Sequence, residues 1–502
     1  MKQGRGAMFT FARMSRHTAF GPVDRNSNAS VHLLIACFMA LQLLSAGFPL
    51  SALSQSKNPW NEMIGSAYTG NRSYAMLQRL CDEGGGRVMG TLNNEKSMAI
   101  LVRELKTIGF EARQESFTAP GWIRGNDEVT IIEPVFLPLR TVALGYVDRH
   151  AVFEALVVDA GFGFEDTFNT INAAGNIVLV TQESPDGKTP LLRCEAIGIA
   201  ARHGAKGILF MNDRNGTLTL EGMSNFEGRP SAIPAYSLTF EEGKRIERLL
   251  KAGQQVRVRM KTESRCAEVT TANIVVTLPG EVPKKIVVGA HFDSWDMGQG
   301  AIDNGIGTAI LFDAARLLNA YYRQNHYTVE FVWFNGEELG LWGSKNYVAM
   351  HASDDIAAMI NLDMTGTPTG FNAMGTDEFV PILKDLVARL NGFELTAGAA
   401  NQPGTNSDHQ AFMLKGIPTL SLQAHLDDDM GRYYHEKGDT FDKVSRRYLS
   451  DAAAVASVLV SELANQRTLK YERRSDTQTI ELLKKHKLDD RLKKMKEWPF
   501  GE

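Results

Sequence analysis

Two histidines and four carboxylates in the C-terminal half follow apolar runs at a recurring offset. His291 comes directly after the run 286–290, with Asp293 two residues on. Asp303 sits a short loop later, at the start of an amphipathic stretch. Glu337 and Glu338 follow 329–334, Asp363 follows 356–362, and His435 comes after 418–423, with Asp439 four residues further. Each has an ordinary reading when taken alone. Asp303 reads as a helix cap, the glutamates as charges favoured by a helix N-terminus, and Asp363 as a turn former. Together they describe one site, because an open α/β sheet presents its functional side chains beyond the carboxyl ends of its strands.

Imidazoles and carboxylates without cysteine make a mixed nitrogen and oxygen donor set. It suits zinc and, less specifically, manganese or cobalt. One metal needs about three protein ligands, so five ligands and a spare carboxylate suit two metals sharing a bridge. Such a pair, about 3.5–4 Å apart, can hold and activate a hydroxide between them. On this reading Asp303 bridges, His291 and Asp363 take one metal, and Glu338 and His435 take the other. Glu337 stays unligated, as general base and then acid toward a leaving amine. Asp293 and Asp439 are spaced to accept the second N–H of His291 and His435, fixing their tautomers; local turn stabilisation is the alternative for both.

The elements that must position these residues alternate. Apolar runs at 274–278, 286–290, 329–334, 356–362 and 418–423 read as strands covered on both faces. A helix after Asp303 carries Ile306, Ile310, Ala314 and Leu317 on one stripe; others follow Glu338 and span 446–465. This alternation predicts an α/β sandwich. Upstream, 71–118 reads as helix, loop, helix, strand, with Met98, Leu101, Leu105 and Ile108 on one helical stripe that stops near Gly109. Between them, 126–266 holds short strand-like runs at 129–132, 156–158, 177–180 and 204–211, a helix at 194–203, and many glycine and asparagine turns. It reads as an inserted β-rich domain without the clustered polar residues of an active site. The tail 466–502 is rich in lysine and arginine and reads as a solvated or partly helical extension with no catalytic role.

The chain has 502 residues, room for about three domains. It is 43% apolar and 22% charged, a globular balance that excludes disorder and low complexity. A net charge of −4 gives no electrostatic reason to bind nucleic acid. Residues 31–53 carry no formal charge and follow a basic stretch, which predicts a signal peptide or uncleaved signal-anchor over 1–54 and export of the rest. A membrane enters only in the anchored case. Three cysteines, Cys81, Cys194 and Cys266, then remain, allowing at most one internal bridge. Sequons at Asn71 and Asn215 fit a secretory route.

The motifs GAHFDSW around His291, GAIDNGIGTA around Asp303, FNGEELGLWGS around Glu337 and INLDMTG around Asp363 resemble the co-catalytic di-zinc exopeptidases of the aminopeptidase and glutamate-carboxypeptidase type. SDHQAFMLKGIPT at 407–419 and HEKGDT at His435 complete the set. The resemblance covers roughly 60 to 465. It implies an αβα sandwich with a mixed central sheet, divided as 60–125 and 267–465 around a protease-associated insert at 126–266. It implies that His291, Asp303, Glu338, Asp363 and His435 hold two zinc ions bridged by Asp303, with Glu337 as the base. Tyr434 stands where some relatives place an oxyanion-stabilising tyrosine, against a packing role. Ser407 and Asp408 match a loop lining the cleft, with a structural role as the alternative. The implied protein is a secreted or lysosomal homodimer, passing through the endoplasmic reticulum and Golgi, that hydrolyses dipeptides or terminal residues of short peptides. An aminopeptidase, a glutaminyl-cyclase-like transferase and a receptor-like relative that lost the chemistry are the competing readings. Missing ligands would mark the last, and none is missing.

Overall fold

The computed structural model describes residues 59–501 except 71, 149, 323 and 427–429. The expected export segment and the sequon at Asn71 lie outside the described residues.

Eight strands form a mixed sheet in the order Arg113–Ile123, Arg265–Leu278, Asn325–Phe334, Gly280–His291, Ile356–Asn361, Thr419–His425, Thr367–Asn372 and Gly398–Ala400. The four strands from Asn325–Phe334 to Thr419–His425 run parallel. Antiparallel pairings flank them, and a short parallel pair closes the far edge. Alternate side chains of each central strand go to opposite faces. Ile286, Val288 and Ala290 join a core with Ile310, Leu317, Val455 and Leu459, whereas Val287 joins Val332, Tyr347 and Phe412. The helices Pro59–Gly70, Arg72–Arg79, Ile306–Tyr321 and Arg446–Asn465 cover the first face; Trp342–Met350 and His409–Met413 cover the second. Burial on both faces is why these strands read as continuous apolar runs. The sandwich is therefore αβα with a mixed sheet.

Register brings the site together. His291 pairs with Phe334, and Gly289 pairs with Asn361. Three parallel strands thus end level, and the next few residues of each (Asp293, Glu337 and Glu338, Asp363) emerge at one edge.

A second mixed sheet of eight strands is built from residues between Glu128 and Thr262, with its own apolar core. That core is not isolated: Trp295 and Leu339, from loops of the first sheet, are buried within it. The strand Arg265–Leu278 belongs wholly to the first sheet, pairing with Arg113–Ile123 from Arg265 to Val275.

Of the two forms expected for the tail, the partly helical one is found, and it is docked on the domain. The helices Asp476–Lys485 and Asp489–Lys494 bury Leu483 and Leu492 against Met374 and Met413. Ser475 and Gln478 form a reciprocal cap on the first of them. Cys81, Cys194 and Cys266 are all unpaired thiols. Among the described residues, no helix is long and apolar enough to cross a membrane.

Candidate metal centre

Local sequence explains how each acidic side chain is freed to face the site. Asp303 does not cap the helix Ile306–Tyr321. Asn304 does that work instead, its Oδ1 accepting from the Gly307 N–H at 3.0 Å while its Nδ2 donates to Leu362 O at 2.9 Å. A Cβ at Gly307 would lie 2.1 Å from Leu362 O, so only glycine lets the helix approach the strand end this closely. The residue before the bend, Gly300, has φ 57° and no room for a Cβ beside Ser294. The helix then fixes His291 from behind, Thr308 Oγ1 donating to its carbonyl at 2.8 Å.

Asp303 turns one oxygen to each histidine: Oδ1 lies 3.2 Å from His291 Nε2, and Oδ2 lies 3.1 Å from His435 Nε2. Two groups of potential metal ligands result, His291 with Glu337 and Asp363, and Asp303 with Glu338 and His435. Asp363 Oδ1 is 3.4 Å and Glu337 Oε2 4.0 Å from His291 Nε2, and Glu338 Oε2 is 3.0 Å from His435 Nε2. Proximity alone places Glu337 among the candidate ligands, whereas the sequence reading left it unligated.

The electrostatics call for positive charge. Burial alone would lower His291 and His435, but Glu337 and Asp363 around the first, and Glu338 and Asp303 around the second, hold both imidazoles well above their ordinary range. Burial would raise Asp303, and the two imidazoles overcome it, keeping the carboxyl well below its usual range. Glu337 is pushed well upward by burial and by the neighbouring carboxylates, and Glu338 to about 7 by burial and Asp303, each against a histidine. Among the described residues, His291 Nε2, Asp363 Oδ1 and Glu338 Oε1 are buried without a hydrogen-bond partner. Buried polar atoms left unpaired are costly. Their convergence, together with the donor types, fits two divalent cations of the zinc class.

The supporting residues differ in part from the expectation. Asp293 lies beside His291: its carbonyl is 3.2 Å and its carboxylate 3.5 Å from Nδ1. The carboxylate also takes the backbone N–H groups of Glu337 and Glu338 at 3.1 and 3.2 Å. Asp439 corrects the sequence reading. Its hydrogen bonds come from the backbone N–H of Ile302 and Asp303, not from the His435 ring, because the loop before Asp303 folds over it. Ser407 and Asp408 sit behind the ligands. Ser407 Oγ donates to Asp363 Oδ2 at 2.6 Å, and the fully buried Asp408 is pushed up to about 7 by burial. Tyr434 stacks on His435 with ring centroids 3.8 Å apart and lines the cavity in front of the site.

Three contributors escape sequence reasoning. Arg87, completely buried, donates to the carbonyls of Phe292, Gln299 and Gly300, tying down the loop between His291 and Asp303. The β-rich insert, read as lacking polar site residues, supplies Arg193 and Glu221. Glu221 donates its backbone N–H to His435 O at 3.0 Å, steadying a residue held at φ 54°. Its side chain meets Arg124 at 2.5 Å, and Arg124 also holds Asp296. Arg193 donates to Glu221 O, Leu220 O and Gln182 Oε1 and meets no carboxylate among the described residues. Burial lowers it to about 10. The third contributor is the tail, through Arg491, Met495 and Glu497. The insert and tail residues open on one cavity of about 290 Å³ that Glu337, Glu338 and His435 also line. Its single arginines and glutamates from distant segments form no motif, so no sequence pattern flags them.

Residues 273–460 match peptidase family M28, and residues 146–246 match the PA domain. Carboxypeptidase Q of Rattus norvegicus is 28% identical over 411 residues, 79% of this chain and 86% of that protein. A solved peptidase M28 precursor from Shewanella amazonensis superposes with a TM-score of 0.72 at 23% identity, over 83% of this chain and 98% of that one. A zinc aminopeptidase from Bacillus subtilis superposes with a TM-score of 0.64 at 23% identity, over 80% and 96%. The two structural likenesses establish the fold.

Proposed function

We propose that this chain, a peptidase that joins an M28 domain to a PA domain and is homologous to carboxypeptidase Q, is a di-zinc exopeptidase acting on dipeptides or the ends of short peptides. One observation carries the reading: two histidine–carboxylate groups face each other across Asp303, with the Glu337 carboxyl beside them and a cavity in front. His291 and Asp363 would hold one ion, Glu338 and His435 the other, and Asp303 both. When bound, the ions supply Lewis acidity toward a peptide carbonyl and an activated water. Glu337 accepts the proton that the attacking water gives up and passes it to the departing amine. Asp293 and Asp439 keep the ligands aimed, Asp439 by fixing the Asp303 backbone.

Arg193 favours a substrate with a free carboxylate. Its guanidinium faces the cavity while its own hydrogen bonds go to neutral acceptors only. A partly buried cation whose hydrogen bonds, among the described residues, go to neutral acceptors is well satisfied by a carboxylate ligand. This separates the reading from an aminopeptidase, which needs only a free amine. Export through segment 1–54 and assembly as a homodimer complete the proposal; light scattering on the purified chain checks the latter.

Zinc content per chain, measured with dipeptide turnover before and after chelation, tests the whole. Two zinc ions and chelator-sensitive turnover are expected. A C-amidated dipeptide should be cleaved far more slowly than the free one. Equal rates would remove the carboxylate requirement, and one ion or none without turnover would overturn the peptidase reading.

A further inference from the structure

The cavity before the metal centre has walls from three parts of the chain, and one of them is the C-terminal extension. Arg491, Met495 and Glu497 line it together with Glu337. The match to peptidase family M28 ends at residue 460, so this wall lies beyond the matched residues.

The extension is fixed in place. Arg474 donates to Gly375 O at 2.7 Å and Thr376 Oγ1 at 2.8 Å. Leu483 and Leu492 are fully buried against the edge of the first sheet's domain. Glu497 then pairs with Lys345 at 2.7 Å, and Lys494 pairs with Glu195 of the insert at 3.2 Å. The last turn is thereby tied both to the helix Trp342–Met350, which follows the catalytic glutamates, and to the helix Arg193–Arg202, which carries the cavity's arginine. Met495 is 3% exposed and fills the wall, whereas Arg491 is exposed and, among the described residues, donates its one side-chain hydrogen bond to Asn406.

We infer that the C-terminal extension is a substrate-length gauge, with Met495 and Arg491 forming the part of the cavity wall that stops longer peptides. The inference rests on the peptidase reading above. At about 290 Å³ the cavity is at the small end of the range for ligand sites, roughly 300–1,000 Å³. An extended hexapeptide spans roughly 20 Å, and its distal residues would run into this wall. A dipeptide stays on the near side of it. The residues act by exclusion and take no part in the chemistry.

The test compares kcat/KM for a dipeptide and for a hexapeptide sharing its scissile pair, in the zinc-loaded full-length chain and in Arg491→Ala and Met495→Ala. Arg491 has one side-chain hydrogen bond among the described residues and is exposed, so its variant guards against a folding effect at Met495. The unaltered chain should prefer the dipeptide at least tenfold. Each variant should narrow that ratio at least threefold, through faster hexapeptide cleavage with zinc content unchanged. A ratio that stays put, with both rates unchanged or both lowered together, overturns the gauge while leaving the peptidase intact. No turnover of either peptide by the zinc-loaded chain overturns the peptidase reading and the gauge with it.

Discussion

The carboxylate of Asp439 accepts the backbone N–H of Asp303 at 3.1 Å. With the Ile302 N–H on its other oxygen, it fixes the bend from which Asp303 reaches both histidines. Burial pushes Asp439 up to about 7, so its ionised form depends on those two donors. Asp439→Ala should therefore weaken zinc binding in both groups, by about 10–100-fold as for other residues that orient ligands. Competition with a chromogenic chelator measures this. Asp303→Asn should do the same more severely. Loss of one ion alone in either variant would mean that Asp303 does not join the two groups.

Glu337 lies close enough to His291 for ligation, and its role is decided by what its removal costs. Glu337→Gln keeps size and hydrogen bonding but cannot carry a proton. As a general base, the change should lower kcat by about 10²–10⁴, with two zinc ions retained and KM little altered. Departure of an ion in the same variant would make Glu337 a ligand.

Arg87 offers a third prediction, about stability as much as activity. Its guanidinium is buried among backbone carbonyls, and burial lowers its pKa. Arg87→Leu leaves the carbonyls of Phe292, Gln299 and Gly300 without that donor, and unmet buried acceptors cost about 1–3 kcal/mol each. A loss of about 3–5 kcal/mol in denaturant unfolding is expected, with weaker zinc binding because the loop between His291 and Asp303 loosens. Wild-type stability would show that water replaces the side chain there.

These cases mark where the sequence was legible. The central strands show as apolar runs because both faces are covered. The acidic residues and histidines stand out because each follows such a run, and register delivers them to one edge. Arg87 was invisible because it lies about 200 residues from the carbonyls it binds, and a lone arginine carries no period. Asp439 has the spacing of a partner to His435, yet the loop before Asp303 claims it first. Arg193 and Met495 lie in segments that look unrelated to the site, and only packing of the insert around Trp295 and Leu339 and of the tail on Met374 and Met413 brings them near. The tail's helices carry few apolar residues, so its docking depends on Leu483 and Leu492 finding Met374 and Met413.

Away from the metal centre, His351 pins the helix Trp342–Met350 to the edge strand. Its Nε2 lies 3.0 Å from Glu115 and its Nδ1 2.8 Å from Asp354. The hydrogen bond with Glu115 raises the imidazole pKa against the effect of burial, and Asp354 adds to the rise. Burial would raise Glu115, but His351 and Arg113 hold it below its usual value. The signs follow from linkage. His351 binds its proton more tightly folded than unfolded, so its contribution is full below about pH 6.5 and fades as pH rises through the higher folded value. Glu115 contributes fully above about pH 4.3 and loses its share as pH falls through its depressed folded value. The pair therefore stabilises most between these limits. His351→Gln should be less stable than the unaltered chain by about 1.5–3 kcal/mol at pH 6, the range for a hydrogen bond to a charged group. The difference should shrink steadily toward pH 9. Thermal unfolding of both proteins across that range checks it, and a gap independent of pH would mean that His351 acts through packing and not through its charge.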